Sequence, residues 1–101
     1  MEFIVITKDR PNLTPERGRE LLRVFGQWQP PEGFNLKSLY FEAGGSRSFA
    51  LVETDRAASM MEVAATFSDY IEFEFVPVVP SGEGAAIIGQ AQAWVDRVKQ
   101  G

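Results

Sequence analysis

The chain has no cysteine and no histidine. The first absence removes disulfides, thiol nucleophiles and thiolate metal sites together. The second removes the commonest general base, the commonest zinc ligand and the usual proximal haem ligand, so many enzyme classes fall on composition alone and no cofactor is expected. Long apolar runs are also missing: none approaches the roughly 20 residues of a membrane-spanning helix, and no membrane partner is expected. Positive charge is scarce and unclustered. Ten Lys and Arg stand against 14 Asp and Glu, for a net charge of -4, which leaves a nucleic-acid backbone little to bind. The opening Met1-Glu-Phe-Ile-Val-Ile-Thr7 places an acid and a strand pattern where a secretory signal carries basic residues and a longer apolar run, so the expected location is the cytoplasm.

What is present is enough apolar material for one core. At 101 residues, 45% of them hydrophobic, a single domain is expected, with a core over 1–80 and an added helix over 83–99. In this size range burial is limited, and association with a second copy adds useful stability.

The pivotal stretch is Arg47-Ser-Phe-Ala-Leu-Val-Glu-Thr-Asp55, which is apolar on both faces: Phe49 and Leu51 on one, Ala50 and Val52 on the other. A strand of that kind belongs inside a sheet covered on both sides. Before it, Glu2 to Lys8 is a β-branched run and reads as another central strand. Thr14-Pro15-Glu16 reads as a helix start, with Thr as N-cap and Pro at the first helical position. Leu21, Leu22, Phe25 and Trp28 then repeat at helical spacing as its buried face, and Pro30-Pro31-Glu32-Gly33 ends it. Phe34 to Glu42 is a strand, joined to the central one by Ala43-Gly-Gly-Ser46, whose glycines are expected to supply positive φ to a hairpin.

Thr54 or Asp55 is the expected cap of the next helix, with Ala57, Met60, Met61, Ala64 and Phe67 inward and Arg56, Ser59 and Glu62 outward. Tyr70 to Val79 alternates and carries Pro77, which places it at a sheet edge. Ile87, Ile88, Ala91, Trp94, Val95 and Val98 give the last helix an apolar stripe, expected to pack on the body through Trp94 and Ile88. The order βαββαβ plus one helix predicts an α+β, ferredoxin-like (split βαβ) fold: an antiparallel four-stranded sheet of order 4-1-3-2 with two helices on one face.

Phe49-Ala-Leu-Val-Glu-Thr-Asp55 and Tyr70-Ile-Glu-Phe-Glu-Phe-Val-Pro-Val-Val79 together resemble a family of short bacterial proteins known only as a domain of unknown function. The resemblance spans roughly Met1 to Ser81, and the last strand is its specific part. By appearance that family belongs to the dimeric α/β-barrel group, whose monomers pair through the helix-free sheet face. The resemblance therefore implies a homodimer and no particular activity.

Four residues are candidates for binding a ligand. Glu72 and Glu74 stand on one face of the last strand, about 7 Å apart from the strand rise, a spacing that suits acid-base work when a partner covers them and a solvated edge when none does. Tyr40 and Arg47, on the hairpin, offer a hydroxyl and a cation to an anionic or phenolic ligand, although pairing of Arg47 with Glu42 is the simpler expectation. Gly82-Glu-Gly84 lacks the third glycine and the Lys-Ser/Thr of a phosphate loop, and reads as a flexible helix start. No residue is singled out as catalytic and none as a metal ligand. The functional expectation is a homodimeric, non-catalytic module that binds a small molecule or serves in interaction. The alternative is a cofactor-independent oxygenase or isomerase acting on a small aromatic or polyketide-like substrate in the dimer cavity.

Overall fold

A computed structural model describes residues 1–101. Its elements are β1 (Glu2–Asp9), α1 (Pro15–Gln27), β2 (Asn35–Phe41), β3 (Arg47–Glu53), α2 (Ala57–Thr66), β4 (Ile71–Val78) and α3 (Ser81–Gln100). The four strands form one antiparallel sheet of order β2-β3-β1-β4, which is the expected 4-1-3-2 read from the other edge. β1 and β3 are the inner strands, and β4 with its Pro77 is an edge. The fold is α+β, and no helix is long and apolar enough to cross a membrane.

Alternation along the inner strands decides what is buried. Phe3 and Val5 of β1 lie opposite Val52 and Ala50 of β3, and all four are buried beneath the helices with Phe34, Val63 and Phe67. Antiparallel partners share a face, so Ile4, Ile6, Phe49 and Leu51 point the other way, where no helix lies. Aromatic contacts bind the helix layer: Trp28 of the α1 C-cap meets Phe67 at 5.3 Å between ring centroids and Phe34 at 6.3 Å, and Phe67 meets Phe73 of β4 at 6.5 Å.

α1 starts as its residues dictate, with Thr14 accepting a hydrogen bond from the Arg17 N–H at 3.1 Å and Pro15 at the first position. Its expected apolar face is only partly used. Leu21, Val24 and Trp28 pack against the core, but Leu22 is 65% exposed and no residue of the helix is fully buried. α2 meets its expected orientation only in part. Phe67 is buried and Met60 packs on the core as expected, but Ser59 is buried, donating to the Glu32 carbonyl at 3.3 Å, Val63 is buried, and Ala57 and Met61 stand in solvent. Periodicity discriminates poorly there because alanine, methionine and valine are spread over much of the helix circumference. Neither Thr54 nor Asp55 caps α2. The cap position is Arg56, held by its N–H bonding the Thr54 hydroxyl at 3.1 Å.

Two further expectations are corrected. Gly33, at φ +79°, is the one glycine with positive φ, so Gly44 and Gly45 turn the β2–β3 hairpin without it. α3 does not pack on the body: Trp94 and Ile88 are both more than half exposed, and the radius of gyration, 18.3 Å, exceeds the roughly 13 Å of a compact chain of this length. The molecule is 64 Å long because this 20-residue helix, about 30 Å from end to end, projects beyond the sheet.

The two kinds of aromatic separate cleanly in a stability measurement. Phe67→Ala removes a buried ring from the junction of both helices with β4 and should cost about 3–5 kcal/mol in urea unfolding. Trp94→Ala, measured where the chain is dilute and monomeric, should stay within about 0.5 kcal/mol of the parent.

Candidate ligand-binding face

The helix-free face is built from four cross-strand rows. Tyr40, Phe49, Ile6 and Glu74 form one row through β2, β3, β1 and β4, and Ser38, Leu51, Ile4 and Val76 form the next. Beyond the first row lie Arg47, Lys8 and Glu72; beyond the second lie Asn35, Glu53, Glu2 and Val78. The face is therefore an apolar floor on the inner strands, with polar groups at both strand edges and both ends. All four residues singled out in the sequence, Tyr40, Arg47, Glu72 and Glu74, border this floor. Three strand spacings, about 14 Å, separate Tyr40 from Glu74 across it.

These groups differ in how far they are engaged. Arg47 is held twice, its Nε 2.5 Å from Glu42 across the hairpin and its guanidinium 5.3 Å from the centre of the Phe49 ring. The Glu42 pairing is the one its strand position predicts. Glu72 lies 3.7 Å from an Arg10 nitrogen. Glu74 and Tyr40 make no ion pair or side-chain hydrogen bond within the chain, and both are exposed. With Lys8, Asn35 and Ser38, which likewise make no ion pair or side-chain hydrogen bond, they are the groups of this face free to meet a ligand. Glu72 and Glu74 lie in successive rows, Glu72 beside Arg10 and Glu74 without an ion pair.

Lys37, not singled out from the sequence, closes the far end. Pairing of β2 with β3 slips between Leu36 and Ser38, leaving Lys37 as the extra residue of a bulge. Its ammonium lies 2.8 Å from Glu53 and 3.5 Å from Glu2, two like charges that face each other across β3 and β1. The sequence does hold a sign of this bulge: Leu36 and Leu39 both belong to the inner face but stand three apart, where an unbroken strand spaces inward residues by two. The hydrogen bond to Glu53 raises the Lys37 ammonium above its ordinary value, and the same bond from Lys37 holds the Glu53 carboxyl below its own.

A second concavity lies on the opposite side of the sheet. Of about 470 Å³, it runs between α1 and the β2–β3 hairpin, with Leu22 and Phe25 on one wall, Leu36 and Phe41 on the other, and Thr7 and Ser48 in its floor. The Thr7 and Ser48 hydroxyls hydrogen-bond each other, and no buried side-chain polar atom of the protein lacks a partner. The groove is lined mainly by hydrophobic side chains, with Asp9, Arg19 and Arg47 among its charged ones. No group of three or more Asp or Glu side chains comes together in a way that holds a metal ion.

A family model described as a domain of unknown function, DUF3303, matches residues 1–92, so the match runs past Ser81 into the first half of α3. No curated protein matches the chain.

The Lys37 clasp generates a pH prediction. Glu53 has a depressed value when folded, so its contribution is present above the ordinary Glu range and is lost as pH falls through the depressed value. Lys37 has a raised value, so its contribution is present below the ordinary Lys range and is lost as pH rises through the raised one. Lys37→Met should move the Glu53 carboxyl up toward 4.5 in a carbon-detected NMR titration, and added salt should shrink the difference. An unmoved Glu53 would show that the ammonium does not hold it.

Proposed function

The chain belongs to the DUF3303 family, and from that premise we propose that it is a homodimeric small-molecule-binding module whose ligand lies on the helix-free sheet face. The supporting observation is the row Tyr40–Phe49–Ile6–Glu74, which sets a free hydroxyl and a free carboxylate at opposite edges of an apolar strip. Recognition sites of this kind combine an apolar surface for affinity with a few placed polar groups for orientation. The strip suits a flat, largely aromatic molecule that gives a hydroxyl hydrogen to Glu74 and meets the Tyr40 hydroxyl at its other end. Arg47, lying over Phe49, adds a cation beside the strip.

Burial calls for the second copy. Ile4, Ile6, Phe49, Leu51 and Val76 are only partly covered in one chain. A second copy laid on this face turns an open strip into an enclosed chamber and removes that apolar surface from water. Binding is the reading preferred to catalysis, because Glu74 is the one unpaired carboxylate of this face and no hydrogen bond within the chain aims a second group at it. The finer assignment, to the dimeric α/β-barrel group, rests on the same pairing of helix-free faces.

The test is an NMR titration of the full chain with a panel of hydroxylated aromatic acids. Amide shifts should concentrate on residues 4–6, 38–40, 49–51 and 74–76, and Tyr40→Phe and Glu74→Gln should each weaken binding by about tenfold, the worth of one charge-assisted or well-placed hydrogen bond. Shifts confined to the groove beneath α1, or a monomer at micromolar concentration in sedimentation equilibrium, would overturn the proposal.

A further inference from the structure

Two apolar surfaces of this protein have no partner within the chain. One is the groove between α1 and the β2–β3 hairpin, whose Leu22, Phe25, Leu36 and Phe41 are between 38% and 73% exposed. The other is the projecting helix α3, on which Ile87, Ile88, Trp94 and Val98 are each at least half exposed. We infer that these surfaces are made for each other across two molecules: α3 of one chain docks into the α1–β2 groove of a second copy, and the second copy returns the contact.

The same contact is not made within one chain. α3 follows β4 and projects beyond the sheet, and none of its residues lines the groove, although Ile71 and Phe73 of β4 do. α3 is also helical from Ser81 onward, with no break at which it could fold back. A second copy meets no such restriction.

The chemistry of the groove selects the occupant. Its floor hydroxyls, on Thr7 and Ser48, satisfy each other, and its walls are mainly hydrophobic, with Asp9, Arg19 and Arg47 also lining it, so an apolar helix face loses little by entering. The α3 stripe is such a face. Ile88, Ala91, Val95 and Val98 follow one another at intervals of three and four residues, and Ile87 and Trp94 flank them one heptad apart. α1 needs the filling: with no fully buried residue of its own, it covers the β2 side of the sheet incompletely, and a helix laid beside it completes the layer.

The area is sufficient. A tryptophan side chain has about 150–250 Å² to bury. Two symmetry-related arms, each with five further apolar side chains, together with the groove walls they cover, reach the roughly 1,200 Å² at which specific interfaces begin. Reciprocal exchange also makes the contact isologous, and the assembly closes at two copies when the same two chains pair by their helix-free faces. This contact uses the opposite side of the sheet from the ligand-binding face and stands independently of the ligand.

The natural absence of cysteine allows a direct test, because a disulfide forms only between Cα atoms within about 7 Å. Tagged Leu36→Cys or Phe41→Cys is mixed with untagged Ile88→Cys, Ala91→Cys or Val95→Cys under mild oxidation. At least one groove–arm pair should give a tagged–untagged cross-link about tenfold faster than the same arm variants do with Tyr40→Cys, a neighbour in sequence that faces the other side of the sheet. Faster linkage to Tyr40→Cys, or no groove–arm linkage, overturns the inference. Homodimeric disulfide formation by Tyr40→Cys alone reports pairing of the helix-free faces, so loss of the arm contact and loss of the face contact are told apart. In parallel, Trp94→Glu should raise the dimer dissociation constant at least tenfold in sedimentation equilibrium with unchanged circular dichroism. An unchanged constant, or a full-length dimer whose groove still takes up the apolar dye 8-anilinonaphthalene-1-sulfonate, would overturn it too.

Discussion

A sheet that is apolar on both faces, with its helices on only one, sets the terms for everything else in this protein. The pairing of β1 with β3 enforces it: once Phe3, Val5, Ala50 and Val52 go beneath the helices, the two-residue repeat sends Ile4, Ile6, Phe49 and Leu51 to the other side. Neither set can be made more polar without changing what covers it. α1 and α2, held by Trp28 and Phe67, serve the inner set. The outer set has charges and hydroxyls around it but nothing over it within the chain.

The fold was legible because its signals are local and agree with one another. Thr14-Pro15 marks a helix start by a specific hydrogen bond and a missing donor, and Pro77 marks an edge because an inner strand would need its N–H. The errors lie where the outcome depends on contacts distant in sequence. Ser59 of α2 reaches the Glu32 carbonyl, 27 residues away, and nothing in the helix's own composition could reveal that contact. The Gly44-Gly45 turn misled for a different reason, since a glycine permits positive φ without requiring it.

The candidate site was half legible. Alternation put Glu72 and Glu74 on one face of the last strand, and Tyr40 and Arg47 were singled out on the hairpin for their chemistry, but only the register across all four strands places them around one floor, and register is not a property of any one segment. Lys37 shows the gap most clearly. As a lysine in an edge strand it reads as solvated, and it becomes a clasp over Glu2 and Glu53 only because a bulge in β2 turns it there. The exposure of α3 was missed because an amphipathic stripe says that a helix will be covered without saying by what. Ile88 and Trp94 have the right spacing for packing, and within the chain neither is covered.

The bulge in β2 and Pro77 in β4 have a joint effect on how the protein behaves in a crowded solution. Each interrupts the ladder of backbone donors and acceptors along one of the two free sheet edges, and Glu72 and Glu74 add charge to the second. A neighbouring strand therefore finds no continuous template on either side, and the sheet ends at four strands however many molecules gather. Side-chain surfaces, which can be mutually exclusive and finite, are left to govern contact between copies, while backbone pairing, which can propagate without limit into fibrils, is kept out of it.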